Sequence, residues 1–548
     1  MISILKMEAY KLWHKPIFIA LMIIIFCMNL GIFAYLEQSQ NIPLHAYQTL
    51  QVKLNTLPNE KRYTYICNYD DQIQAFEILS QMQSLKQHKE TNQLAVLQSQ
   101  YPDIEKTYGN DFLQFTPYFT DSLEQEAEFM HTIRKEMDTL YHYKAQLQDI
   151  RQKADAISSI SIFSQKDSFS ARNIIKTSHD FEKMSDCIIT YQLEKGIKDA
   201  THAPITDILI LIMMMVIASS MIMEEKSRHL FSIVKTTKRG YLETIVSKCI
   251  IMSISILCFS SMMYLSNLIY MQIFCGLGNL NASLVSLASY SQSTLSITIK
   301  QFFFLFFTTK WLVASMIGFF MLMIAVLSSH RLSCFTIILV FLGIEGVCYQ
   351  YIPANTRWQL LKYLNVFSFL ETDNLYQIYR NLNIFQYPLS LQFLSFICMI
   401  TLLCLGFIAC VLAYTKKRNL VLSTNADTME SGYKKVLEKY VRKTRELVHI
   451  IAGGEEIVST PDHPYYVAGR GFVNACQLCI GSPLLDADGR VLETEQIYKE
   501  SLEEDEEVTV YNFQVEEWHT YHVGEMEVLV HNAEYETSYG KSSEKLNW

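Results

Sequence analysis

Charged residues are scarce in this chain. They make up 18% of its 548 residues, whereas a soluble domain usually has about 25%. Half of the residues are hydrophobic, and the net charge of −9 is the sum of segregated regions: basic residues flank apolar runs, while acidic residues gather in stretches such as SLEEDEEV at 501–508. The length predicts more than one domain, and the composition favours a large membrane part.

The chain also lacks a paired cysteine framework. Its thirteen cysteines are scattered, many of them inside apolar runs, which is typical of small buried side chains and not of disulfides. One close pair, Cys476 and Cys479 in NACQLCIG, has no second pair or histidine pair to complete a zinc site, so we interpret both as core thiols. Cys67 and Cys187 could lie outside the cell and could pair there, but nothing in the sequence requires it. No metal ion and no cofactor is expected.

A phosphate-binding loop is missing as well. GKS at 540–542 resembles the end of such a loop, but the pattern requires a glycine five residues before Gly540, where Tyr535 stands. We therefore expect no ATPase site in this chain.

What the chain has in abundance is long apolar runs. About 20 apolar residues cross a bilayer as a helix, and six stretches qualify, at roughly 16–36, 204–223, 249–272, 303–328, 333–351 and 392–414. The first is too long, and lacks the small-residue cleavage site, for a signal peptide, so we interpret it as an anchor. The sequence thus predicts a polytopic α-helical membrane protein.

Lysine and arginine in the short flanks predict the orientation of these spans. Basic residues precede the first span, lie between the second and third and between the fourth and fifth, and follow the sixth. They are Lys6, Lys11, Lys15, Lys226, Arg228, Lys235, Lys238, Arg239, Lys248, Arg331, Lys416, Lys417 and Arg418. Because these flanks alternate, both termini are predicted to be cytoplasmic. The long segment 37–203 is then extracytoplasmic, and it is predicted to be helical, since apolar residues recur every three and four positions at 122–157.

The membrane part resembles a known family. FSARNIIKTSHDFEKMSD at 169–186, then a span, then EEKSRHLFSIVKTTKRGYLETIVSK at 224–248 are similar to the permeases of type 2 ABC exporters. The resemblance covers about residues 1–418. It implies six spans in a bacterial cell membrane, a homodimer or paired permease, and a separate ATPase that docks on the 224–248 loop. The plainer interpretation of this loop is a basic flank that follows the orientation rule. Lipid is the other expected partner, and nucleic acid is not expected.

After the last span the pattern changes. Residues 419–532 consist of short alternating stretches separated by Gly-Gly, Asp-Gly and Gly-Arg-Gly turns, which predicts an all-β domain. A domain of about 110 residues can bury a core of its own.

This β region resembles a Hint domain, the self-processing fold of inteins and hedgehog proteins, and within it the pretoxin type of bacterial polymorphic toxins. The similarity runs in order through VLSTNADTMESGYKK, TPDH and VTVYNFQVEEWHTYHVGEMEVLVHNA. It implies that the side-chain amide of Asn532 attacks its own backbone carbonyl, with His531 and His519 assisting. Thr460 and His463 match the Thr-x-x-His element, which polarises the N-terminal scissile bond in relatives.

The implied chemistry is physically reasonable for these residues. An intramolecular attack has a high effective concentration, and histidine suits the proton transfers because its unperturbed pKa lies near neutrality. Taken alone, VLVHNA would be an ordinary strand end followed by an asparagine turn. We interpret His522 as a surface residue and His449 as a strand residue.

The sequence departs from the Hint pattern in several places. The family begins with a nucleophilic Cys or Ser and a V-G-D segment, but a membrane span precedes VLST here. Cys398 lies at about the right distance, inside the span and away from any base, so we expect the N-terminal acyl shift to be absent. Ala533 cannot accept an acyl group, which excludes ligation. The first strands are missing, so exposed sheet edges are expected, and the 16 residues after Asn532 are too few for a folded toxin.

The sequence therefore predicts a six-span helical membrane protein followed by a truncated all-β Hint fold. Three functions remain open: a permease-like exporter subunit with a degenerate Hint tail, a membrane-tethered protein that cleaves itself after Asn532 in a single turnover, and a non-catalytic interaction tail on a toxin export or immunity protein. The predicted segments are 1–36 (N-terminus and first span), 37–203 (extracytoplasmic helical domain), 204–418 (five spans), 419–532 (Hint) and 533–548 (remnant tail).

Overall fold

The structure, a computed structural model, describes residues 2–158, 168–227, 242–353, 356, 358–416, 420–503 and 506–532. The described residues up to 411 form one compact unit, and those from 412 onward form a second. The first is mostly helical and the second is built of strands.

The described part of the first unit is made of helices and contains one small β-hairpin of Asn381–Ile384 (β1) and Tyr387–Ser390 (β2). The sequence periodicity at 122–157 gives Leu123–Tyr141 and Tyr143–Ser158, with Ser122 capping the first of them by accepting a hydrogen bond from the Gln125 N–H. The helices are Ile2–Trp13, Pro16–Gln38, Leu44–Asn55, Asn59–His88, Thr91–Gln100, Ile104–Leu113, Leu123–Tyr141, Tyr143–Ser158, Phe169–Glu182, Lys195–Thr201, Pro204–Ser227, Leu242–Phe274, Ile299–Leu327, Arg331–Tyr351, Gln359–Tyr363, Val366–Leu370, Thr372–Tyr376 and Leu391–Lys416.

Six described helical stretches are long and apolar enough to cross a membrane. They are Pro16–Gln38, Lys195–Ser227, Leu242–Phe274, Ile299–Leu327, Arg331–Tyr351 and Leu391–Thr415. Each contains most or all of one predicted span, so the prediction of six apolar helices is confirmed. The regular elements described within the predicted segment 37–203 are all helices. Several of these helices share a core that includes Ile73, Phe76 and Leu79.

A buried ion cluster joins the N-terminal helix to two of the long helices. Lys248 Nζ lies 2.6 Å from Glu8 Oε2 and 2.9 Å from Glu225 Oε1, and the Lys248 side chain is 1% exposed. Lys11 contacts the same two carboxylates at 2.8 and 3.1 Å. Buried charges are costly unless they are paired. Two lysines and two glutamates balance here, so the cluster can hold the helix ends together.

The second unit has its own hydrophobic core. Its strands are Leu420–Thr424 (β3), Ser431–Thr444 (β4), Glu446–Ala452 (β5), Glu455–Ser459 (β6), Pro464–Val467 (β7), Gly471–Asn474 (β8), Pro483–Leu485 (β9), Val491–Ser501 (β10), Val508–Val515 (β11), Thr520–Val523 (β12) and Val528–His531 (β13). One sheet has the order β12-β13-β7-β9-β10-β5-β6, with β8 paired to β7, and the other has the order β11-β4-β3. The β-rich fold agrees with the sequence prediction.

Local sequence explains the tightest hairpin. Gly453 and Gly454 form the two-residue loop between β5 and β6, with φ of 61° and 78°. A two-residue hairpin with positive φ at both positions matches the twist of its strands, and glycine adopts it without steric cost. The core beneath includes Val448, Ile450 and Val530, all fully buried.

The expected edge exposure is visible at β3. Among the described residues this strand pairs with β4 and lies at the edge of its sheet. Its end is nevertheless tied to β12, because Ser423 and Thr424 both hydrogen-bond to Thr520. Hydroxyl contacts thus hold the first strand that remains.

Candidate active site around Asn532

Asn532 lies directly after β13, a strand in the interior of the larger sheet. β13 pairs with β12 on one side and with β7 on the other, and its apolar residues Val528, Leu529 and Val530 are buried. The Asn532 side chain is also buried: the residue is 4% exposed, and its Oδ1 has no hydrogen-bond partner among the described residues. A buried unpaired polar atom is unfavourable, so the sheet holds the amide in place at a cost.

His531 contacts the backbone carbonyl that follows it. Its Nδ1 lies 2.6 Å from the Asn532 carbonyl oxygen. Since a carbonyl oxygen can only accept, Nδ1 carries the proton in this contact. The edge of the Phe472 ring, at 4.9 Å between centroids, packs against the His531 imidazole.

His519 reaches the same asparagine from the opposite strand. The antiparallel register pairs Thr520 with His531, so the residue before β12 lies beside the residue after β13. The Asn532 N–H donates to the His519 carbonyl at 2.8 Å, and Asn532 Nδ2 lies 3.4 Å from His519 Nδ1. That second distance is at the outer limit of a hydrogen bond. His519 is exposed and has a φ of 56°, in the left-handed region.

His463 lies immediately before β7, the strand that pairs with β13. Burial, opposed by the charge of Asp462 and reinforced by that of His531, lowers the pKa of His463 to about 4. Its Nε2 is 3.5 Å from the Tyr521 hydroxyl, which donates to Asn512 at 2.8 Å. His463 is therefore neutral at physiological pH and close enough to His531 to feel its charge.

Thr460 contacts the turn that leads into β7. Although burial alone would raise it, the pKa of Asp462 lies below its usual range because the Thr460 hydroxyl and Arg442 both stabilise the carboxylate. The Thr460 carbonyl accepts the His463 N–H at 3.1 Å. Thr460 thus shapes the turn that carries His463, and its described contacts do not reach Asn532.

The five residues predicted from the sequence therefore separate into two groups. Asn532 contacts both His531 and His519, while His463 is nearby and Thr460 belongs to its turn. A hydrogen-bond donor on the carbonyl oxygen and a nitrogen acceptor beside the side-chain amide are what an attack of that amide on its own carbonyl requires.

Three other sequence interpretations can be checked. His449 lies in β5, as predicted. The interpretation of His522 as a surface residue is wrong: it is half-buried, its Nε2 lies 2.9 Å from Thr424 Oγ1, and its Nδ1 donates to the Glu527 carbonyl. Cys476 and Cys479 are exposed and are not core thiols, because they lie on the turn after β8. All thirteen cysteines fall in the described ranges and are free, including Cys67 and Cys187.

Several supporting residues carry no sequence signal. Phe472 packs on His531, and Trp518 and Lys434 hold the turn that leads to His519. They are aromatic or basic residues at unremarkable spacings, and only the pairing of distant strands brings them to the site. In the described part of the chain, no group of three or more His, Cys, Asp or Glu side chains is arranged to hold a metal ion.

Residues 404–533 match the family model of the pretoxin HINT domain. The match begins inside the helix Leu391–Lys416. No curated protein sequence matches the chain.

Among solved structures, a bacterial intein-like domain from Clostridium thermocellum is 52% identical, over 21% of this chain and 80% of that one, with a TM-score of 0.20. The DnaX mini intein from Spirulina platensis is 27% identical, over 21% and 81%, with a TM-score of 0.18. The gp41-1 intein is 19% identical, over 21% and 98%, with a TM-score of 0.16.

Proposed function

We propose, on the premise that residues 404–533 of this chain belong to the pretoxin Hint, or intein-like, family, that its C-terminal unit cleaves the backbone after Asn532 by asparagine cyclisation. The domain is of a self-processing type. The proposal adds the bond that is cut and the residues that cut it.

The reaction has one covalent rearrangement. Nδ2 of Asn532 bonds to its own backbone carbonyl carbon and loses a proton to Nδ1 of His519. The carbonyl oxygen gains negative charge, which the Nδ1–H of His531 stabilises. The C–N bond to Ala533 then breaks, and the proton taken from Nδ2 is delivered to the departing nitrogen. The products are a chain that ends in a five-membered succinimide and a peptide with a free amine at Ala533.

The observation that carries the proposal is the double contact of one buried asparagine. His531 donates to its carbonyl oxygen at 2.6 Å, while His519 Nδ1 lies 3.4 Å from its amide nitrogen. An ordinary strand end would have an exposed asparagine with its amide in water. A base that is slightly too far in the resting structure is common in catalytic sites, where the contact shortens during the reaction.

The other Hint reactions are not part of this proposal. Cys398 lies in the helix Leu391–Lys416, a candidate membrane span, away from any base that could form its thiolate. Ala533 has no side-chain nucleophile to accept an acyl group, so cleavage cannot lead to ligation. Cleavage after Asn532 is what this set of residues can still perform.

The test is the intact mass of the full-length chain in detergent over time. We expect a product that ends at Asn532 as a succinimide, which is lighter by one water molecule than the same chain ending in a free asparagine carboxylic acid, and we expect this product to be absent from Asn532→Ala. The chain supplies its own control, because Asn281, Asn425 and Asn474 are also followed by alanine. Release at Asn532 alone supports the proposal. An unchanged mass in a folded chain overturns it and leaves the interaction tail, which tolerates Asn532→Ala.

We further propose that the helical unit is a permease-like membrane component, a bacterial membrane protein with both termini in the cytoplasm. The supporting observation is the Glu-Glu pair at the end of the second predicted span. Glu225 is held by Lys248 and Lys11, and Glu224 by Lys15, so the base of the 224–248 loop is fixed to the N-terminal segment. Residues 228–241 of this loop lie outside the described residues.

A permease of this kind needs an ATPase partner and a second permease copy. We expect a separate ATP-binding subunit to co-purify with the chain and to be lost when Glu224 and Glu225 are both changed to Gln. Lys86→Gln, at an exposed ion pair with Glu105, is the matched control. Purification without any ATPase from the native membrane counts against this part of the proposal and leaves the self-cleavage untouched.

The predicted orientation can be tested with native thiols. Cys476 and Cys479 are exposed in the C-terminal unit. In intact cells a membrane-impermeant maleimide should leave both unlabelled, and permeabilisation should expose them; the double serine variant measures the background. Labelling in intact cells would place the C-terminal unit outside and would overturn the orientation.

A further inference from the structure

The turn before β12, residues 516–519, has an uncommon backbone. Glu517 and His519 have φ of 61° and 56°, which few residues other than glycine adopt. The Trp518 N–H donates to the Glu516 carbonyl two residues earlier at 2.8 Å. A three-residue turn with positive φ at its centre is rare and strained. Such strain persists only where the surrounding structure enforces it.

Strand β4 supplies the enforcing contacts. Lys434 Nζ lies 3.9 Å from the centroid of the Trp518 ring, and the same ammonium group pairs with Glu517. The Lys434 side chain is only 20% exposed. The Trp518 ring covers Gly432, where an added methyl group would meet the ring at 3.5 Å. Lys434 therefore contacts two successive residues of the strained turn, Glu517 and Trp518.

The backbone itself is anchored at the start of this turn. The Glu516 N–H donates to the Lys435 carbonyl at 2.8 Å. His519, at the other end, is exposed, so core packing does not fix its ring. Its position follows from the turn that precedes it and from its carbonyl contact with the Asn532 N–H.

We propose that Lys434 and Trp518 are positioning residues that hold His519 where it can take the proton from Nδ2 of Asn532. Lys434 contacts both Glu517 and the Trp518 ring, and these contacts keep the turn in its strained conformation. Relaxation of the turn would swing the His519 imidazole away from the amide. This inference rests on the proposed cleavage after Asn532 and names the residues that regulate its rate.

The first arm of the test is the cleavage rate of the full-length chain as a function of pH. With a positioned base the rate rises with pH and then levels off once the base has lost its proton. Trp518→Leu changes no charge. We expect it to slow cleavage about tenfold to a hundredfold, as misplacement of a reacting group does, and to remove the plateau, as His519→Ala does. Lys434→Arg should keep most of the rate, and Lys434→Gln should lose it.

The matched control is Tyr498→Leu. Tyr498 is a half-exposed aromatic residue of the same domain whose ring stacks on His449, away from Asn532. It should leave the rate and the plateau unchanged. If Trp518→Leu cleaves at the normal rate with its plateau intact, or if Tyr498→Leu has the same effect as Trp518→Leu, the inference is wrong.

A second arm does not depend on cleavage. In the Asn532→Ala variant, the backbone N–H of residue 532 can still donate to the His519 carbonyl. Hydrogen exchange measured by mass spectrometry reports on that hydrogen bond. Trp518→Leu and Lys434→Gln should raise exchange at this amide at least tenfold, while Lys434→Arg and Tyr498→Leu should not. A wild-type chain that never cleaves refutes the proposed function. Unchanged exchange in Trp518→Leu refutes the positioning role, whichever way the first result falls.

Discussion

The Nδ1 of His531 lies 2.6 Å from the carbonyl oxygen of Asn532, the residue that follows it in the chain. A side chain that donates to its neighbour's carbonyl is a local contact, available only where the backbone stops following the strand. Strand β13 ends at His531, so the carbonyl of Asn532 is released from the sheet and can turn toward the imidazole. The end of the strand thus creates the contact on which the proposed cleavage depends.

The first prediction concerns this donor. His531→Ala should slow cleavage about a hundredfold to a thousandfold, as the loss of one oxyanion donor does in other enzymes. His531→Gln should be less severe because its amide can still donate. Time-resolved intact mass measures both rates. His449→Gln, which changes a histidine on the distant strand β5, should leave the rate alone; equal rates for wild type and His531→Ala would contradict the assigned role.

The second prediction concerns stability at acidic pH. Burial lowers the pKa of His463 to about 4 from an ordinary value of 6.5. The unfolded chain therefore binds a proton between these values that the folded chain does not. Stability from this group is complete above pH 6.5 and is lost as pH falls through 4, by on the order of 3 kcal/mol.

Chemical unfolding of the C-terminal unit measures this loss between pH 7 and pH 4, followed by Trp518 fluorescence in a full chain whose other four tryptophans are replaced by phenylalanine. His463→Gln should flatten the pH dependence. A wild-type profile as flat as that of the variant would mean that His463 titrates normally in the folded protein.

The third prediction concerns a histidine, His449, whose contribution to stability is lost as pH rises and not as it falls. His449 lies between two carboxylates, with Nδ1 2.9 Å from Glu456 and Nε2 2.8 Å from Glu500. Burial acts to lower its pKa, but the hydrogen bonds that the imidazole donates to both carboxylates outweigh this and raise the pKa. The histidine contributes stability that is complete below pH 6.5 and is lost as pH rises through the raised value. His449→Gln should therefore destabilise the unit at pH 6 and much less at pH 9, measured by the same unfolding assay.

The fourth prediction concerns the buried ion cluster of the helical unit. Lys248→Met removes one of two cations and leaves an uncompensated buried carboxylate, which should destabilise the unit by about 3–5 kcal/mol. Adding Glu8→Gln restores neutrality and should recover part of the loss. The melting temperature in detergent reports both effects. Lys86→Met, at an exposed ion pair, should shift it little, and a shift as large as that of Lys248→Met would argue against a special role for burial.

The sequence predicted the elements that depend on local pattern. Long apolar runs specify helices whatever their neighbours are, and alternation with glycine turns specifies strands. Asn532 and His531 could be named because they are adjacent, and His519 because it stands in a recognisable WHTY segment. Each of these signals is carried by residues close together in the chain.

The sequence could not predict contacts between distant segments. Lys434 and Trp518 meet because β4 runs past the turn before β12, a relation that no spacing in the chain encodes. The burial of His522 has no local signal for the same reason, since its partner Thr424 lies 98 residues away on β3. Cys476 and Cys479 stand in an apolar-looking stretch, and only the turn after β8 turns them outward.

The ion pair between Glu8 and Lys248 also sets an order of events during synthesis. The two residues are 240 positions apart, and a ribosome that adds about 5–20 residues per second needs roughly 10–50 s to travel that distance. Throughout this interval the carboxylate of Glu8 can pair with Lys11 of its own helix but has no Lys248 to meet. The N-terminal helix can therefore reach its final seat only after the third apolar helix has begun to emerge, so that the first segment made is among the last to be locked in place.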